Sequence, residues 1–407
     1  MTTPAPPTGR LPAGAFAALL LLALALRLAF VFMVPPVIQF PDGREYVEVA
    51  RSLLAGHGFG LQTLRPPGYP VFIAAVWSIT GESLLALRVA EALLGTLTAV
   101  LVGVFGARWF GRRAGLLAMA IATLHPVLAF LPATQYSENL IVLVCVLAYG
   151  CMLGALADAR AGLGRWMAGG ALLGLAALIR PNAVILAPGI LLGATWPMAR
   201  AGRRWLLPAV TVAAALALTL SPWLIRNHDV HDHWFFVATG GGRALWLGSN
   251  DHTTGRAGSI VLPDSTLTAE LMRLPDEVGR DRRLGALGLA WMKADPARAA
   301  RMYLVRMSSL WAIYPDTYTR TRFMNDFARV AQGAASVFIF AGALLALARA
   351  RDVPLLTPMV SAIVLFSLVN AVFFMVLRYR MPFEPLLIWM AALGWTRVTA
   401  PRASGGV

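Results

Sequence analysis

The sequence predicts an all-α polytopic membrane protein, and three observations carry that prediction. Of 407 residues, 58% are hydrophobic and only 14% are charged, a charge content low for a soluble chain of this length. Apolar runs recur along most of the chain, and crossing a hydrocarbon core takes about 20 helical residues. The basic residues fall mainly between those runs, as topology-setting arginines do.

Ten runs are read as spans: 13–34, 83–109, 114–131, 138–157, 166–180, 183–198, 205–225, 328–348, 353–376 and 382–396. The first is too long for a signal-peptide core and lacks a small-residue cleavage site, so it reads as a retained helix. It follows a Pro/Thr-rich stretch, residues 1–12, expected to be disordered. Residues 166–198 would make an overlong helix with Arg180-Pro181 at its centre, and Pro181 favours a hairpin instead. Residues 70–79 form a short run that reads as a partial or re-entrant helix.

Net charge is +15, and Lys293 is the only lysine. This arginine bias matches a high-GC bacterial genome. In a soluble protein such charge would suggest nucleic-acid binding, but here its placement between apolar runs argues topology. Arg108, Arg112 and Arg113 share one connection, and Arg160 and Arg165 the next alternate one. Arg200, Arg203 and Arg204, then Arg349 and Arg351, continue the pattern, with Arg10 and Arg397 at the ends. Placing all of them in the cytoplasm gives an even number of spans with both termini inside, including the 397–407 tail. The opposite side then carries two large segments, about 35–69 and 226–326, and the short turns 132–137, 180–182 and 377–381. Cys145 and Cys151 lie in one apolar run, without metal-site spacing or a disulfide framework.

Polar residues converge on this outer face. Segment one opens Phe40-Pro41-Asp42-Gly43-Arg44-Glu45-Tyr46. An amphipathic helix follows, with Tyr46, Val49, Ala50, Leu53 and Leu54 on one side, ending at Gly56 or Gly58. Leu64-Arg65-Pro66-Pro67-Gly68-Tyr69-Pro70 leads stiffly into the short run. The turns supply Gln135, Tyr136, Glu138, Arg180, Asn182, Arg378, Tyr379 and Arg380, and segment two supplies Arg226 and Asn250. A lipid phosphate has its anionic head at this depth and its tail in the bilayer. Arginines pair bidentately with phosphate oxygens, carboxylates can take a proton from a hydroxyl, and aromatics anchor at the interface.

In order, these motifs resemble family 39 glycosyltransferases of the GT-C fold, which include protein O-mannosyltransferases and lipid A aminoarabinose transferases. The resemblance runs from about residue 13 to 396. It rests on Asp42-x-x-Glu45-Tyr46, Arg65-Pro66-Pro67-Gly68-Tyr69-Pro70, Ser137-Glu138, Arg180-Pro181-Asn182 and Pro222-Trp223-x-x-Arg226-Asn227. Leu247-Gly248-Ser249-Asn250 with Thr254-Gly255, and Arg378-Tyr379-Arg380, complete it. It implies a GT-C-like bundle of about ten spans with periplasmic juxtamembrane helices. It also implies an inverting transfer of a monosaccharide from a polyprenyl-phosphate donor, on the outer side of a bacterial inner membrane. The acceptor implied is an envelope glycan or lipid; a protein acceptor is less favoured, since the lumenal domain of the protein-mannosylating branch is absent. Members carry two adjacent acidic residues in the first outer loop, whereas Asp42 and Glu45 stand three apart.

The resemblance makes Asp42 the candidate general base. The same Asp42-x-x-Glu45 spacing also suits a helix capping box, and both readings stand. Glu45, Tyr46, Arg65, Tyr69, Glu138, Arg180, Asn182, Arg226, Asn250, Arg378, Tyr379 and Arg380 form the candidate substrate-binding set. Glu138 could equally serve its own helix N-terminus, and Arg378 and Arg380 could be snorkelling to headgroups. Arg27, inside the first span, needs a partner. His228, Asp229, His231, Asp232 and His233 read as a polar interfacial loop rather than a metal site, although a divalent metal stays open as cofactor. Thr239–Gly242 is too little for a nucleotide loop. Residues 299–311 read as an interfacial helix. The competing classes are a lipid-linked glycan flippase, which would place polar sites near the midplane of two repeats, and a non-catalytic scaffold.

Overall fold

The structure is a computed structural model that describes residues 11–158, 160–255, 263–314 and 322–399. Most of the expected N-terminal stretch, residues 400–407 of the tail, and residues 256–262 and 315–321 of the second outer segment lie outside the described residues. Among the described residues the chain is helical, with no strand.

The first third comprises α1 (Ala13–Met33), α2 (Pro41–Leu54), α3 (Gly68–Thr80), α4 (Leu84–Phe110), α5 (Arg112–Leu124) and the short α6 (Pro126–Phe130). Then come α7 (Glu138–Ala157), α8 (Leu163–Ile179), α9 (Leu186–Arg200) and α10 (Leu206–His231). The second outer segment folds as α11 (Gly241–Gly248), α12 (Ser265–Met272), α13 (Glu277–Ala294) and α14 (Pro296–Leu310). The chain closes with α15 (Arg322–Arg349), α16 (Leu356–Asn370) and α17 (Glu384–Thr399).

Each of the ten expected spans coincides with a helix or a helix pair. Six helical stretches are long and apolar enough to cross a membrane, or seven if the bent pair α5–α6 counts as one. The other three, α8, α16 and α17, are shorter, at 17, 15 and 16 residues. The expected run 70–79 is α3, whose 13 residues rise about 20 Å, short of the roughly 30 Å core. Read as the expected partial helix, it leaves the alternating arginine pattern its parity.

Local chemistry sets the breaks. At Pro126 the span bends by 58°, because proline removes an amide donor and crowds the preceding turn. His125 repairs the break, its Nδ1 accepting from the Leu128 amide at 3.3 Å. Pro181 ends α8 as expected: Arg180 is extended, and a 3-10 turn over Pro181–Ile185 leads into α9.

Small residues let the helices approach closely, the usual device where lipid removes the hydrophobic drive for helix pairing. A Cβ added to Gly115 on α5 would lie 2.5 Å from the Ala107 nitrogen on α4. Gly170 meets Val212 across α8 and α10, and Gly189 meets Ala362 across α9 and α16. The centre is held by α7 and α17: the Tyr149 hydroxyl donates to Pro382 O at 2.7 Å, and the Trp389 indole to Val102 O at 2.7 Å.

The bundle has two polar ends. At one, Arg165 pairs with Asp158, Arg203 donates to the Ala155 and Leu156 carbonyls, and Arg397 pairs with Asp352. These are among the arginines that the sequence assigns to a single side. The other end gathers α2, the 131–137 turn, the α8–α9 turn and the segment before α17.

Candidate active site

The first contribution is α2. Phe40 is its N-cap residue, Pro41 begins the helix, and no side chain caps its amides. The expected capping box is therefore not formed, because guanidiniums claim both carboxylates. Asp42 Oδ1 accepts from Arg65 Nη2 at 2.8 Å and Oδ2 from Arg378 Nη2 at 2.7 Å. Glu45 Oε2 accepts from Arg65 Nε at 2.6 Å. The helix buries Gly43, Tyr46, Val47, Val49 and Ala50 and stops before Gly56, whose φ of 79° suits glycine. Leu54, expected on the apolar face, is exposed.

Arg65 arrives on the loop between α2 and α3. That loop is held from behind by the second outer segment: Thr63 donates to Glu277 through its amide and its hydroxyl, both at 2.9 Å. The Thr239 amide donates to Thr63 O at 3.0 Å. Arg65 lies over the Tyr46 ring at 5.1 Å; Tyr46 packs edge-on to Tyr69 and donates to Ser137 Oγ at 3.3 Å.

The remaining members come from far along the chain. Glu138 opens α7 and is buried; it accepts from Arg180 Nη1 and lies 3.5 Å from Arg378 Nε. Arg180 rests over the Tyr379 ring at 4.6 Å, and Arg378 lies over Tyr136 at 3.9 Å. Asp42, Glu45, Tyr46, Arg65, Tyr69, Glu138, Arg180, Arg378 and Tyr379 thus form one cluster. Asn182 sits at its edge, donating to Asn370 Oδ1 at 2.9 Å. The Asp42 and Arg378 side chains keep 27% and 24% of their exposure, so the cluster is reachable. Within it, Arg378 Nη1 is buried without a hydrogen-bond partner among the described residues.

Burial would raise the Asp42 carboxyl, but Arg378 and Arg65 outweigh it and hold the group at about 2. At neutral pH Asp42 is therefore an anion, and a weakly basic one.

Three expected members lie elsewhere. Arg380 is fully buried behind the cluster, bound to Glu384 at 2.8 Å, to Ser336 Oγ at 3.1 Å and to Ala312 O at 2.8 Å. Two positions apart on the 3-10 helix Leu377–Phe383, with about three residues per turn, Arg378 and Arg380 project to different sides, and only Arg378 reaches the cluster. Glu384 also accepts from His125 Nε2 at 3.2 Å; since Nδ1 accepts from Leu128, the neutral ring carries its proton on Nε2. This pairing ties the broken span to the turn bearing Arg378. Arg226 donates to Gly60 O and lies over Trp223 at 4.9 Å, bracing the loop rather than facing the cluster. Asn250 donates to Trp246 O and accepts from the His252 amide, closing its own turn.

Arg27 finds carbonyls rather than a carboxylate, those of Ala23 and Ala122. His228, Asp229 and His231 belong to the end of α10, which runs past the expected 225. Among the described residues no three His, Cys, Asp or Glu side chains form a metal-holding group. Arg306 is buried against the Ala371 and Gly248 carbonyls, so α14 is interfacial only on its other side, where Leu304 is exposed. Tyr136, named on the outer face, and Ser137, part of the Ser137-Glu138 motif, were left out of the candidate set, yet both join the cluster.

With this geometry in place, the class follows: a multi-pass membrane protein of the GT-C fold. Residues 64–225, less than half of the chain, match the family model described as dolichyl-phosphate-mannose-protein mannosyltransferase. That stretch holds Arg65, Tyr69, Glu138 and Arg180. No curated protein matches the chain in sequence. The archaeal oligosaccharyltransferase AglB from Archaeoglobus fulgidus, solved with an inhibitory peptide and a dolichol-phosphate, superposes with a TM-score of 0.55. It is 16% identical over 94% of this chain and 50% of that one. The apo form of the Archaeoglobus fulgidus oligosaccharyltransferase gives 0.57 at 15% identity, over 94% and 50%. The chain thus spans about half the length of these proteins. ArnT from Cupriavidus metallidurans bound to undecaprenyl phosphate, 18% identical over 94% of this chain and 79% of that one, superposes at only 0.44, too loosely to add to the fold assignment.

Proposed function

We propose that the protein is an inverting glycosyltransferase that moves a monosaccharide from a polyprenyl-phosphate donor to an envelope glycan or lipid on the outer side of a bacterial inner membrane. One observation carries this reading. Carboxylates and guanidiniums from four chain-distant segments converge at one end of the bundle, and one guanidinium donor there has no hydrogen-bond partner among the described residues.

The donor phosphate takes Arg378 Nη1 and shares Arg180, which neutralises charge as the carrier leaves. These arginines are assigned that work in place of a metal, because both Asp42 oxygens are already bound by guanidiniums. The acceptor hydroxyl attacks the anomeric carbon, the bond to the phosphate oxygen breaks, and Asp42 takes the hydroxyl proton. A single displacement needs one base, unlike the carboxylate pair of a retaining glycosidase. Donor binding also prepares that base: drawing Arg378 toward phosphate removes one of the charges depressing Asp42, and its basicity rises.

The test is transfer from radiolabelled polyprenyl-phosphate sugars to envelope acceptors by the purified protein and by Asp42→Asn. The wild type is expected to transfer, and the variant to lose about 10²- to 10⁴-fold in kcat with donor affinity retained. Undiminished transfer by the variant removes Asp42 from the base role, and transport of intact carrier without bond cleavage replaces the reading with a flippase.

A further inference from the structure

Gln135 lies in the turn that joins the broken span to α7. Its φ is 54°, and Asp232 and Val237 are the only other non-glycine residues with positive φ among the described residues. An L-residue holds that conformation at a cost, and a glutamine side chain lacks the short local hydrogen bond that eases it for Asn or Asp. The side chain is 1% exposed, yet neither Oε1 nor Nε2 has a hydrogen-bond partner among the described residues. Buried amides are nearly always satisfied, so one that is orphaned at both ends calls for a reason.

Its position supplies one. A Cβ on Gly43 would lie 3.3 Å from Gln135 Cβ, so that glycine lets the turn press against the residue beside Asp42. Tyr136 lies under the Arg378 guanidinium, Ser137 binds Tyr46, and Glu138 pairs with Arg180. The strained residue with the unmet amide thus packs against the helix that carries Asp42 and immediately precedes three members of the cluster. Strain kept by a fold concentrates where a ligand repays it.

The chemistry narrows the ligand. A carboxamide is neutral, donates two hydrogen bonds and accepts two. An anion would satisfy only its donor side, and the guanidiniums next to it already serve anions. Neighbouring hydroxyls on a sugar ring, each donor and acceptor, satisfy both ends. We propose that the Gln135 carboxamide binds hydroxyls of the transferred monosaccharide, holding the sugar beside Asp42. This rests on the glycosyl-transfer reading above and deepens it.

Two measurements on the full chain test it. The first is thermal unfolding without ligand. Gln135→Met keeps the side-chain length and removes the amide. If the amide is unmet in the resting protein, Tm rises by about 2 °C; a fall shows that the amide already has a partner and overturns the proposal. The second is binding of bare undecaprenyl phosphate against a panel of polyprenyl-phosphate monosaccharides. Wild type is expected to prefer one sugared carrier. Gln135→Met is expected to lose about tenfold in affinity for that carrier and to bind the bare carrier unchanged. Gln135→Asn, which keeps the amide and tolerates positive φ, is expected to recover part of the preference. A preference that survives in Gln135→Met, or a wild type that binds bare and sugared carriers equally, overturns the sugar contact while leaving phosphate recognition intact. Failure of wild type to bind any carrier instead removes the underlying reading.

Discussion

At Asp42, two guanidiniums override burial, and a pH dependence follows. A carboxyl held at about 2 lies below its unfolded value of about 3.9. The stability it contributes is complete above the unfolded value and is lost as pH falls from about 4 through about 2. Arg65→Gln removes one of the depressing charges, so the Asp42 pKa must rise. The acid limb of kcat/KM, measured on both proteins, is expected at higher pH in the variant; coincident limbs would separate Asp42 from proton transfer. The residue scale is also where the sequence was least legible. Asp42, Glu138, Arg180 and Arg378 were named from motif order and do meet. Arg380, two positions from Arg378, was grouped with it because the sequence does not disclose that residues 377–383 form a 3-10 helix, whose period sends the two side chains apart. Its true partners, Glu384, Ser336 and the Ala312 carbonyl, lie on other elements, and nothing in the linear sequence pairs His125 with Glu384.

Among elements, boundaries set by proline and glycine were legible and contacts were not. Pro181 marked the α8–α9 hairpin, Gly56 marked the end of α2, and the short run 70–79 became a helix of 13 residues. The break at His125–Pro126 went unread because residues 114–131 are mostly apolar, and hydropathy summed over a run does not register a bend. Packing between helices gives a direct prediction. Gly115→Ala would drive a Cβ into the Ala107 backbone, where no flexible side chain can yield. The cost is about 1–3 kcal/mol, to be read as a lower unfolding temperature in detergent. An unchanged Tm would mean that α4 and α5 separate freely.

For the whole molecule, arginine placement sorted the connections into two sets, and the fold gathers each set at one end. Cysteine probes at two exposed positions, His57→Cys and Gly162→Cys, are expected to react with an impermeant reagent from opposite sides of sealed vesicles. Labelling of both from the same side would refute the two-ended arrangement. Membership of the fold was legible because composition and span order are summed over hundreds of residues. The second outer segment was legible only as polar sequence, since its helices act through single clamps such as Glu277 on Thr63.

The ionic cluster has a consequence for turnover. It sets Arg65, Arg180 and Arg378 against Asp42, Glu45 and Glu138, three cations facing three anions. The patch therefore resembles an ion exchanger more than an anion trap. On the proposed reading, an incoming phosphodiester finds Arg378 Nη1 unpartnered among the described residues but must compete with resident carboxylates for the remaining guanidinium donors, and those carboxylates stay close enough to reclaim them. If the proposed transfer occurs, the departing carrier is a more highly charged monoester, and once Asp42 releases its proton three carboxylates again compete with it for the same guanidiniums, so its eviction is built into the balance of charges.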